Sequence, residues 1–80
     1  MNTERFRKIL AVINGVQKRL KSGDLNEYQR KEAMKILSEV KSKLAQLSSN
    51  YIKGSSDSEL DEAFEQIEML LLLLLDVIEK

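Results

Sequence analysis

Apolar residues recur at steps of three and four in three separate runs of this 80-residue chain, and that spacing leaves few folds open. Phe6, Ile9, Ile13, Val16 and Leu20 form the first stripe, widened by Val12. Ala33, Leu37, Val40, Leu44, Leu47 and Tyr51 form the second, and Leu60, Phe64, Ile67, Leu71, Leu74 and Ile78 the third. Such steps put every member of a run on one side of an α-helix, where a strand would require alternation. With no proline and three glycines, little interrupts these helices. The spacing predicts an all-α single domain over 1–80: helix one about 3–22, helix two about 25–52, a hinge about 53–57 and helix three about 58–79.

The ends of the runs carry helix punctuation. Thr3 or Asn2 can cap the first helix, and Gly23 stands where a left-handed residue would end it. Asp24-Leu25-Asn26-Glu27 reads as a capping box with Asp24 as N-cap and Glu27 at N3, and Ser56 to Glu59 offers another. The Ser22–Gly23 joint is short enough to demand a tight antiparallel hairpin of the first two helices. Ser48 to Asp57 is richer in serine, and Gly54–Ser56 reads as a hinge. An antiparallel up-down-up three-helix bundle follows, with helices one and three running parallel.

Charge sorts along the chain although the total is zero. Residues 1–22 carry six basic side chains against Glu4, whereas residues 57–80 carry eight acids against Lys80. Opposite charges on parallel neighbours favour that pairing, at about 0–1 kcal/mol per exposed pair.

The third helix has more oil than one stripe requires. Leu70 to Leu75 are six consecutive leucines preceded by Met69. On a wheel of about 100° per residue, the core stripe is already complete without Met69, Leu72 and Leu73, which point away from it, and Leu75 and Val77 lie on its flanks. Upstream, the outward positions are Asp61, Glu62, Glu65 and Glu68, so the surplus begins abruptly at Met69. Three large apolar side chains left in water forfeit roughly 1.5–3 kcal/mol each relative to burial. Contiguous exposed patches of this sort mark interaction surfaces. Met69, Leu72, Leu73, Leu75 and Val77 are therefore the expected protein interface, serving self-association, a dimer first, or another helical protein. The opposing reading is a tolerated run of a good helix former at the end of a bundle.

Chemistry is scarce. The chain has no histidine and no cysteine, which removes the usual zinc sites, disulfides and His-activated nucleophiles. Ser55, Ser56 and Ser58 read as turn and cap residues. No Gly-rich phosphate loop is present. We expect no enzyme, no catalytic residue, no cofactor and no small-molecule substrate. Asp57, Glu59, Asp61, Glu65 and Glu68 imitate the spacing of a calcium loop, but Glu62 stands where the sharp turn needs glycine. The second function class is a nucleic-acid-associated regulator using Arg7, Lys8, Lys18, Arg19 and Lys21; Ala11 and Asn14 interrupt that basic face. The apolar run from Met69 to Leu75 is seven residues, where a membrane span needs about 20. The spaced apolar positions of the N-terminus are unlike a signal peptide, so the expected location is cytoplasmic.

The stretch KRLKSGDLNEYQRKEA, Lys18 to Ala33, resembles the turn region of the small helical co-chaperones of type III secretion needles. That resemblance implies a helical hairpin whose sticky face sheathes another protein's amphipathic helix; it assigns no role to individual residues.

Overall fold

The computed structural model describes residues 3–54 and 56–79 and contains three α-helices: α1 Thr3–Ser22, α2 Glu27–Ile52 and α3 Asp57–Glu79. At about 1.5 Å per residue, the 26 residues of α2 span about 39 Å. That length sets the long axis of the molecule, 41 Å against 18 and 17 Å across.

One apolar core joins all three helices. Ile9, Ile13 and Val16 enter it from α1, Ala33, Leu37, Val40, Leu44 and Leu47 from α2, and Leu60, Phe64, Ile67, Leu71, Leu74 and Ile78 from α3. All six members of the third stripe are buried, whereas Phe6 and Leu20 only half-bury at the two ends of α1. Two positions depart from expectation. Tyr51 keeps 48% of its surface in water because it lies in the last turn of α2, next to the chain reversal at Gly54. Leu25, outside any helix, is buried and seals the α1–α2 joint end of the core.

The joints are held by side chains and by glycine. Ser22 Oγ donates to the Arg19 carbonyl at 2.7 Å and accepts from the Asp24 N–H at 3.4 Å. Gly23 (φ 82°) and Gly54 (φ 83°) take the left-handed conformation in which a side chain would be strained. The expected capping box of α2 is displaced by two residues. Asn26, not Asp24, is the N-cap: its Oδ1 accepts from Gln29 N–H at 2.8 Å, and Gln29 Oε1 accepts from Asn26 N–H at 3.1 Å. Burial of Leu25 explains the shift, since a helix begun at Leu25 would compete with its place in the core. Before α3, Ser56 Oγ accepts the Glu59 N–H at 3.3 Å. Asn2 and Ser55, read above as a cap and part of a hinge, lie outside the described residues.

Contacts along α3 set its neighbours. Arg5 near the start of α1 meets Asp61, Phe64 and Glu68 in the first half of α3, while Arg19 near its end reaches Ile78. Gln29 at the start of α2 reaches Val77, and Lys43 reaches Gln66. α3 packs chiefly on α2 and less extensively on α1, while α1 and α2 approach each other closely at few points despite their short joint. Gln17 and Lys21 of α1 stand across this gap from Arg30, Ser38 and Lys41 of α2, with Leu20, Met34 and Leu37 between them. Val12 and Leu75, on the α1 and α3 flanks, both pack on the core. Among the described residues no helix is long and apolar enough to cross a membrane.

Candidate functional site

The surplus leucines of α3 divide according to the side they face. Leu71 and Leu74 are buried, and Leu70, Leu75 and Val77 are half-buried, Leu70 and Leu75 packing on the core. Met69, Leu72 and Leu73 remain 66%, 68% and 57% exposed. A helix brings positions i, i+3 and i+4 side by side, so these three form one contiguous surface, with Asp76 completing it at i+7. The core beneath is already closed, and among the described residues nothing covers them. Of the five residues expected at an interface, the structure exposes three and leaves Leu75 and Val77 on the shoulders.

Leu72 also belongs to a second feature. A furrow of about 260 Å³ between α1 and α3 is lined by Ile9, Val12, Leu71, Leu72 and Leu75, with Arg5, Lys8 and Glu68 at its rim. The exposed patch therefore continues over Leu72 onto an apolar floor. Arg5 closes one end: its Nε donates to Glu68 Oε1 at 2.7 Å, its Nη1 to Asp61 Oδ1 at 3.4 Å, and its guanidinium lies 5.0 Å from the centre of the Phe64 ring. A half-buried cation with two carboxylates and an aromatic face beneath it is held in one geometry. It anchors the start of α1 to α3 and leaves the leucine end beyond it.

A third surface lies between α1 and α2, and nothing in the sequence patterns pointed to it. It is an open groove of about 620 Å³ whose floor and wall carry Leu20, Leu37 and Met34, edged by Lys21, Arg30 and Lys41, with Gln17 and Ser38. Met34 is 57% exposed although the core stripe of α2 passes beside it. The separation of α1 from α2 creates this groove, and separation of two helices leaves no mark on the periodicity of either.

The five basic residues considered for nucleic acid do not share a face. Arg7 and Lys18 point outward and are exposed, Lys8 edges the α1–α3 furrow, and Lys21 edges the α1–α2 groove. Arg19 donates Nη2 to the Ile78 carbonyl at 3.2 Å. The acids spaced like a calcium loop, Asp57 to Glu68, stand on continuous helix, and among the described residues no group of three or more acids could hold a metal. No protein-family model matches the chain, and no curated protein or solved structure matches it.

Proposed function

We propose that the chain is a small non-enzymatic helical module that binds protein through the C-terminal half of α3. One observation carries this reading: Met69, Leu72 and Leu73 form a contiguous exposed surface above a core that is already complete. At roughly 1.5–3 kcal/mol for each side chain buried, three neighbours supply enough free energy to anchor a modest interface. Adaptor, chaperone and inhibitor roles all use such an anchor, and a helical partner suits the narrow ridge it forms. The contacts of Arg5 and Arg19 with α3, and of Gln29 and Lys43 with α3, favour an up-down-up bundle as the frame that presents it. A cytoplasmic setting belongs to the same reading.

A photo-activated cross-linker placed at Leu72 in the cell tests it. We expect covalent protein adducts from position 72 and none from Ser49, which is exposed near the end of α2 and lines neither the leucine patch nor a groove beside it. Irradiation that yields no adduct from position 72 would remove the basis of the proposal.

A further inference from the structure

Resting on the reading of α3 as a docking element, we infer that its partner is a second copy of this chain, whose α1–α2 groove receives it head to tail. Three observations converge. The first is charge. From Asp57 to Glu79 there is not one basic side chain, and Glu62, Glu65 and Glu79 line the outward side together with the patch. The α1–α2 groove is edged by Lys21, Arg30 and Lys41 with no acid in its lining; the acids of α2, Glu27, Glu32 and Glu39, lie elsewhere.

The second is the match of apolar centres. The three exposed apolar side chains on α3 would meet exposed Met34 and half-buried Leu20, with buried Leu37 beneath them, and each apolar centre is flanked by charge of one sign. The third is extent. A specific interface covers roughly 1,200–2,000 Å² in total, far more than three side chains supply. The contact must therefore run up α3 onto Glu62 and Glu65. Pairing α3 with α3 would then set acid against acid: Glu62 and Glu65 against Asp76 and Glu79 if antiparallel, each acid against its own copy if parallel. The groove answers those acids with cations instead.

No α3 residue lines the groove and no α1 or α2 residue lines the Met69–Asp76 patch, so the two surfaces are distinct. Each contact uses one of each. Such a heterologous contact closes into a ring or continues as a filament.

Two variants made separately test the inference. One carries Leu72→Glu with Leu73→Glu; the other carries Met34→Glu with Lys41→Glu in the groove. All four side chains are exposed, and circular dichroism checks that both variants stay helical. In analytical ultracentrifugation the wild type should sediment well above its 9.2 kDa monomer mass, each variant alone as a monomer, and their mixture as a dimer, because each retains the surface that the other lacks. Raising salt should shrink the wild-type assembly, since the rims are charged. A milder pair, Glu62→Lys with Glu65→Lys, should lose assembly and regain it when mixed with a Lys21→Glu, Arg30→Glu, Lys41→Glu chain.

A groove variant that assembles alone, a mixture that stays monomeric, or a wild type that is monomeric throughout would each overturn the inference. The Leu72 cross-link separates this failure from that of the underlying reading. An adduct with a different protein sinks only the head-to-tail assembly, and no adduct sinks both.

Discussion

Three glycines in this chain have different duties, and the differences are measurable. Gly54 holds φ 83° after α2, with its N–H donating to the Tyr51 carbonyl at 3.1 Å. Gly15 lies inside α1, is exposed, and would meet nothing within 4 Å if it carried a methyl group. Alanine at 54 must adopt a left-handed conformation costing about 1–2 kcal/mol. Alanine at 15 should stabilise by about 0.5–1 kcal/mol, because glycine weakens a helix interior. Urea denaturation of Gly54→Ala and Gly15→Ala should therefore move the midpoint in opposite directions. Asn26→Ala should cost about 1 kcal/mol by removing the acceptor for the Gln29 N–H. Asp24→Ala should leave the stability within about 0.5 kcal/mol of wild type, as for exposed positions without such a bond. Equal losses at 24 and 26 would contradict the cap assigned here.

At the scale of the helix, the leucine run separates two effects that composition merges. Leu74 is buried and Leu72 largely exposed, two residues apart in the same turn. Leu74→Ala should destabilise by about 2–5 kcal/mol, and Leu72→Ala by no more than about 0.5 kcal/mol in a dilute monomer. Thermal unfolding of the two variants checks this, and a large loss at Leu72 would place it in the core. Much of this division was legible from sequence, because a wheel needs only the helical period to sort Leu71 and Leu74 from Met69, Leu72 and Leu73. Leu75 and Val77, at the edges of the arc, were not resolved that way, since the angle of a neighbouring helix decides how far a shoulder is covered. Tyr51 and the displaced cap show the same limit at helix ends, where the burial of Leu25 outweighs a local capping pattern. Gln29 was invisible for a different reason. Its buried amide joins its own cap to the Val77 carbonyl at 3.1 Å, a contact spanning 48 residues that no local pattern encodes.

For the molecule as a whole, what the sequence left unread is the distance between helices. Three stripes imply three packed helices, but they do not imply that α1 and α2 stand apart along Gln17, Lys21, Arg30, Ser38 and Lys41. The basic side chains of α1 scatter accordingly over an outer face, a furrow and a groove. An electrophoretic shift assay with duplex or single-stranded nucleic acid should show no retardation that falls steeply as salt rises. A steep dependence would restore the nucleic-acid reading.

Helix termini usually unravel, since their final four carbonyls have no partners of their own. Here two long side chains act as clasps, Gln29 Nε2 on the Val77 carbonyl and Arg19 Nη2 on that of Ile78. The C-terminal end of α3 is thereby tied to the beginning of α2 and the close of α1. A visitor would meet an already ordered ridge and so lose less entropy on arrival. Removing both clasps, by Gln29→Ala with Arg19→Ala, should hasten amide hydrogen exchange in the last turns of α3 while the Leu60–Ile67 segment keeps its protection. Uniform acceleration along the helix would mean that the clasps secure the entire fold and not its tip alone.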